Sequence, residues 1–168
     1  MLELKKAGMG DLYAEYCLFK AIPEEESGFM NEYHDISYEQ YQNEVLKEIK
    51  ERDLGINLKE GYVPDSKYLL WLDDKAIAIY NFRHYLNDFL KNGPGHIGYT
   101  VLKEYRGKGY GSQGLQLLIE EVKDNLKEDE LYMSSNLDNE ASLRLQMKCG
   151  AYLHHRDDKY NYTRIKIR

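Results

Sequence analysis

The sequence predicts a mixed α/β domain of the α+β type, and three observations carry that prediction. Two β-rich runs flank Asp73-Asp74-Lys75 in the first half, a second pair surrounds Asp157-Asp158-Lys159 near the end, and between them strands alternate with amphipathic helices. With 168 residues, 42% hydrophobic and 12% aromatic, one continuous domain over 1–168 is expected to bury a core. No repeat, low-complexity tract or Pro/Gly-rich linker divides the chain.

Each element has its own signal. Leu2 to Lys6 reads as a first strand, and Asp11 caps a helix whose Leu12, Tyr16 and Phe19 recur at helical spacing until Pro23 interrupts. Ser37 with Gln40 is a capping box, and Tyr38, Tyr41, Val45 and Ile49 form the apolar stripe of a second helix. An irregular stretch ends near Pro64. Lys67 to Leu72 and Ala76 to Phe82 are strands two and three, and His96 to Leu102, after Asn92-Gly93-Pro94-Gly95, is strand four. From Gly111 onward Leu115, Leu118, Ile119, Val122 and Leu126 follow the i, i+3, i+4, i+7 template of a long helix. Leu131 to Ser135 is a short fifth strand, a helix runs from Asn139 to Cys149 and stops at Gly150, and Ala151 to His155 pairs with Asn161 to Ile167.

Composition excludes several function classes. A net charge of −6 argues against a general nucleic-acid binder, which needs a basic surface to release counterions, and suits a cationic small substrate better. No apolar segment approaches bilayer-crossing length and the N-terminus lacks a secretory pattern, so a cytoplasmic protein without a membrane partner is expected. Cys17 and Cys149 lack zinc-ligand spacing, so no metal is expected and both read as reduced thiols. Association into a homodimer is left open.

The densest chemical signal is Arg106-Gly107-Lys108-Gly109-Tyr110-Gly111, between strand four and the long helix. The first N–H groups of a helix have no internal acceptor and sit at the positive end of the helix dipole, so an anion is their natural occupant. Glycines at 107, 109 and 111 let a phosphate oxygen approach those groups, while Lys103, Arg106 and Lys108 concentrate positive charge. A Walker A loop is excluded because the Gly-Lys-Ser/Thr ending is missing. Gly109 to Gly114 does satisfy G-x-G-x-x-G, but that fingerprint follows the first strand of a parallel sheet, and this loop follows the fourth strand and a hairpin.

With Arg106, Gly109 and Gly111 in place, the chain resembles the GNAT acetyltransferases, whose pyrophosphate loop reads Arg/Gln-x-x-Gly-x-Gly/Ala. Asn139-Glu140-Ala141-Ser142 followed by Lys148-Cys149-Gly150-Ala151 is similar to that family's Asn-x-x-Ser/Ala helix. Phe82 to Asn87 and Gly93 to Gly98 resemble a bacterial subgroup of predicted acetyltransferases. The resemblance is specific over 67–155. It implies a three-layer fold, with a mostly antiparallel, twisted sheet of six to seven strands splayed between strands four and five and about four flanking helices. It further implies acetyl-CoA as acyl donor and a small-molecule or peptide amine as acceptor. Tyr99, Thr100 and Val101 would meet the pantetheine arm, Arg106, Gly107, Lys108, Gly109, Tyr110, Gly111 and Ser112 would hold the pyrophosphate, and Asn139 and Ser142 would lie along the cofactor.

Acetyl transfer needs a neutral amine, a polarised thioester carbonyl and a stabilised or protonated thiolate. His96, at the start of strand four, is the first candidate for general base because an imidazole titrates near neutrality, and His84 is a weaker one. Relatives carry a Tyr four residues before the helix-ending Gly, where this chain has Gln146. Tyr152 and Tyr110 are then candidate proton donors, and a non-catalytic acyl-CoA-binding module is the alternative reading. The acidic run Glu24-Glu25-Glu26 falls where relatives build part of the acceptor site.

Overall fold

The computed structural model describes residues 1–168. Strand β1 (Leu2–Lys6) leads into helix α1 (Leu12–Ala21), where the Asp11 side chain accepts the Ala14 N–H at 2.9 Å. Helix α2 begins at the Ser37/Gln40 capping box and runs through Tyr38–Gln40, a π-helical turn Tyr41–Val45, and Leu46–Leu54. Periodicity does not reveal this wide turn. It lies where Tyr41 is driven fully into the core and gives its hydroxyl to the buried Glu15 carboxylate.

Strands β2 (Asp65–Leu72) and β3 (Lys75–Arg83) form the expected hairpin, and helix α3 (Asp88–Lys91) precedes β4 (Ile97–Val101). Then come α4 (Tyr110–Val122), β5 (Glu130–Asn136), α5 (Glu140–Lys148), β6 (Tyr152–Arg156) and β7 (Tyr160–Lys166). Two elements escaped the sequence reading: α3, which is a single turn capped by Asn87, and a ladder of Glu25–Glu26 with Phe29–Met30. Both are too short to show a period. No helix is long and apolar enough to cross a membrane.

The strands divide into two antiparallel half-sheets, ordered β1-β2-β3-β4 and β5-β7-β6. Between β4 and β5 the only pairing is a bridge from Gly95 to Met133. The splay expected between strands four and five is therefore present, and it is closed at the N-terminal end of β4.

Side-chain alternation along β2 builds the layers. Tyr68 and Leu70 pack with Leu115, Leu118 and Val122 of α4, while Leu69 and Trp71 pack with Leu18, Phe19, Val45 and Ile49 of α1 and α2. The register shifts between Leu70 and Trp71, opposite Ile77, so Ile77 and Ala78 both join the α4 side. Helix α4 meets β3 through Gly114, where an added Cβ would overlap the Tyr80 hydroxyl, and that hydroxyl donates to the Gly111 carbonyl at 2.8 Å. These contacts fix the start of α4 beside the open end of the split.

Candidate active site

The loop before α4 has the geometry of an anion nest. Gly107 (φ 74°) and Gly109 (φ 83°) are left-handed, which turns successive N–H groups to one side, and Gly109 is the N-cap of α4. No protein acceptor takes the main-chain N–H groups of Gly107 to Ser112; the first bonded amide is Gln113, to the Gly109 carbonyl at 3.2 Å. Ser112 Oγ and Gln113 Nε2 also donate to that carbonyl, at 3.0 and 3.1 Å, which braces the turn. Gly111 plays a packing role instead, because a Cβ there would lie 2.6 Å from Leu145 of α5.

Positive charge around the loop is arranged differently from the sequence expectation. The Arg106 Nε donates to the Val101 carbonyl at 2.9 Å, and its Nη2 forms an ion pair with Glu26, so this guanidinium seals the end of β4. Lys108 lies over the Tyr105 ring. Lys148, which the sequence reading did not single out, brings its ammonium within 4.0 Å of where a Gly109 Cβ would be. Its signal was the basic residue in the last turn of α5, but only the docking of α5 on the start of α4 reveals its position. A cavity of about 300 Å³ lies beside the loop, lined among others by Ile22, Pro23, Glu26, Val101 and Arg106.

The split itself presents main chain on one edge and a polar cluster above. The His96 carbonyl and the Leu102 N–H bond to β3, so by antiparallel alternation Tyr99 and Val101 turn their N–H and C=O groups toward the split, while Thr100 turns its own toward β3. The Tyr99 side chain stacks on Tyr80, and its hydroxyl lies 2.5 Å from Ser142 Oγ at the start of α5. Gln146 Nε2 reaches the Tyr99 hydroxyl, Ser142 Oγ and the Ser134 carbonyl at 3.2–3.3 Å, and its Oε1 accepts from Thr163 at 2.6 Å. Asn139 caps α5 by accepting the Ser142 N–H. Burial raises the Tyr99 pKa against the lowering effect of Ser142 and Gln146, so the phenol stays protonated at neutral pH.

A loop of unclaimed N–H groups at a helix start thus lies beside a gap between two half-sheets. Residues 24–152 match the family described as Acetyltransferase (GNAT) domain. The chain belongs to the GNAT acetyltransferase family. This GNAT chain is an acyltransferase by that membership. No curated protein matches it. Among solved structures it is similar to a GNAT-family acetyltransferase from Streptococcus pneumoniae, at 15% identity and TM-score 0.67, covering 100% of both chains. It is also similar to RimL, a ribosomal alpha-N-protein acetyltransferase in complex with coenzyme A, at 18% identity and TM-score 0.69, covering 98% of this chain and 93% of that one. A third likeness is to spermidine N-acetyltransferase from Vibrio cholerae in complex with CoA and spermine, at 15% identity and TM-score 0.61, covering 98% and 95%. These likenesses show the fold.

Within this GNAT fold the remaining candidates scatter. His96 is fully buried; its Nδ1 accepts the Tyr132 N–H at 2.9 Å, so Nε2 carries the proton and donates to Glu128 at 2.9 Å. No lone pair is left to take a proton from an amine, and burial lowers its pKa despite Glu128, so the expected base is a clasp between β4 and β5. Tyr152 sits on the outer strand of the smaller half-sheet, exposed, with its hydroxyl on Glu130, away from the split. Tyr110 packs near Tyr105, with ring centroids 6.3 Å apart. His84 joins Ser66 and Asp53 at a cavity of about 400 Å³ that also borders Val122 and Asn125, beyond the far end of α4. No three His, Cys, Asp or Glu side chains converge as a metal site would require.

Proposed function

We propose that the protein is an N-acetyltransferase that moves an acetyl group from acetyl-CoA to a primary amine by direct transfer in a ternary complex. The unclaimed N–H groups of Gly107 to Ser112, opening onto the β4–β5 split, carry this reading. They suit the diphosphate, with Lys108 and Lys148 adding charge. The pantetheine amides would bond along β4 to the main chain of Tyr99 and Val101, leaving the thioester in the split. An unpaired β4 N–H would polarise its carbonyl, and positioning would supply much of the rate.

In the chemical step the neutral amine adds to the carbonyl carbon, the nitrogen loses a proton to solvent, and the C–S bond breaks. Tyr99 Oη donates its proton to the departing thiolate and is reprotonated through Ser142 and water. This phenol stands in for the helix tyrosine that Gln146 replaces, and Gln146 helps to orient it. Free thiol release from acetyl-CoA across an amine panel tests the activity; coenzyme binding by calorimetry without thiol release for any amine would sink it.

Two consequences are measurable. Tyr99→Phe should lower kcat by about tenfold with little change in acetyl-CoA affinity, a modest effect for a general acid because a thiolate is already a fair leaving group. Glu26→Gln should tighten acetyl-CoA binding by roughly twofold to fivefold in calorimetry, since a part-exposed ion pair competing for Arg106 is worth about 1 kcal/mol or less.

A further inference from the structure

On the face of β2–β3–β4 that α1 and α2 cover, Lys67, Asn81 and Gly98 stand in one register row that ends at the split. Nothing lies within 4 Å of where a Gly98 Cβ would be, so the row opens into free space next to Tyr99. The Glu25–Met30 ladder lies against β4, and a Cβ added at its tip, Gly28, would lie 3.3 Å from the Asn136 side chain at the end of β5. The Tyr99 hydroxyl, which the acetyl-transfer reading sets beside the coenzyme thiol, lies on the α5 side, and on that reading this side is left for the acceptor.

Two cations in this space have no carboxylate in direct contact, although Asp65, Glu32 and Glu48 gather on Arg52 nearby. The Lys67 ammonium, held over the Tyr33 ring, makes one hydrogen bond, to Asn81 Oδ1 at 2.5 Å, and has no carboxylate in ion-pair range. Arg83, two residues along β3 from Asn81, donates only to the Gly95 carbonyl at 3.1 Å. The neighbouring carboxylates, Asp65 and Glu32, are each bound by Arg52 at 2.6 Å. A part-buried ammonium with free N–H donors, beside a second cation without a direct carboxylate, has donors to offer an anion. Burial pulls the Lys67 pKa down to about 8; Asp65 and Glu32 act in the opposite direction, and the neighbouring Arg52 and Arg83 add to the fall. In the acidic run that would draw a polycation, two of the three carboxylates are engaged: Glu26 holds Arg106, and Glu25 accepts the Gly28 N–H at 2.8 Å.

We propose, building on the acetyl-transfer reading, that the acceptor is a small amine bearing a carboxylate, an amino acid and not a polyamine. Lys67, Arg83 and the free Asn81 amide N–H hold the carboxylate while the amine reaches the thioester over Gly98. Asn81 is one strand from β4, about 4.8 Å, so a carboxylate bound there and an amine at the split are separated by the length of a small molecule.

Calorimetric titration of the CoA-loaded protein with phenylalanine against phenethylamine, and with lysine against cadaverine and spermidine, tests this. Each amino acid should bind about tenfold more tightly than its decarboxylated partner, as expected for charge-assisted hydrogen bonds. Lys67→Met should erase that preference and Lys67→Arg should keep most of it. Equal binding within the pairs, no binding by either member, tighter spermidine, or a preference that survives Lys67→Met would overturn the proposal. CoA affinity is measured first on the same protein: normal CoA binding without a carboxylate preference leaves acetyl transfer standing, whereas absent CoA binding removes both.

Discussion

Gly109→Val is expected to weaken acetyl-CoA binding by about 100-fold, equivalent to about 2.7 kcal/mol. The cause is local. A valine Cβ would stand over the N–H groups that open α4, between Gln113 and the Lys148 ammonium, where a phosphate oxygen must come into contact. The residue is also left-handed, which for a side chain branched at Cβ costs roughly 1–2 kcal/mol of folding stability. Gly61 separates the two effects. It has a comparable φ of 80° with nothing within 4 Å of an added Cβ, so Gly61→Val should reproduce the stability loss while acetyl-CoA affinity stays at the wild-type value. Calorimetry and thermal melts on both variants decide the matter, and unaltered affinity in Gly109→Val contradicts the phosphate assignment.

His96→Ala should lower folding stability by about 3 kcal/mol, because the Tyr132 N–H and the Glu128 carboxylate lose their partner and a cavity opens beside Phe82. The protein should melt earlier. If it folds, its pH–rate profile should keep the wild-type shape, since the imidazole has no free lone pair; loss of an essential ionisation near neutrality would restore His96 as the base. The clasp also makes a pH prediction with a definite sign. Burial holds the His96 pKa below its ordinary 6.5, so the neutral form is favoured in the folded state and the unfolded state binds the extra proton more readily. Stability is full above pH 6.5 and falls as the pH drops from there toward the folded pKa. Glu128, held below its ordinary value by His96 and the Leu86 N–H in spite of burial, loses its contribution at lower pH. Urea titrations between pH 7.5 and 5 should show this decline in the wild type and a smaller one in His96→Ala.

What the sequence made legible follows from where its information is local. The hairpin of β2 and β3, the apolar stripe of α4 and the glycine loop each announce themselves within a dozen residues, by alternation, by helical spacing and by a need for positive φ. The side-chain chemistry was harder to read, because it depends on which distant residues meet. Nothing in the letters around His96 says that Glu128 and the Tyr132 amide will occupy both ring nitrogens. The substitution at Gln146 was visible, but besides Ser142 on its own helix its partners Tyr99 and Thr163 come from two distant strands, β4 and β7. Glu26 read as one member of an acidic run near the acceptor site, and only the fold sets it on Arg106, eighty positions away. Lys67 was simply a residue at the start of a strand; only its lack of a carboxylate marks it, and that is a property of the neighbours.

The gap between the half-sheets leaves the Tyr99 peptide groups and the Val101 N–H facing inward without a strand partner, while Arg106 takes the Val101 carbonyl; such an edge is one that other sheet proteins must guard against stray pairing. Here the guard is architectural: Gly95 and Met133 hold one end shut, and the five residues Ile97–Val101 leave little edge for another protein chain to pair with. A slender molecule carrying its own amides can still slot in as a surrogate strand. On the proposed reading recognition resides in backbone that almost any residue can supply, which leaves the surrounding side chains free to drift, in keeping with a fold retained at 15–18% identity.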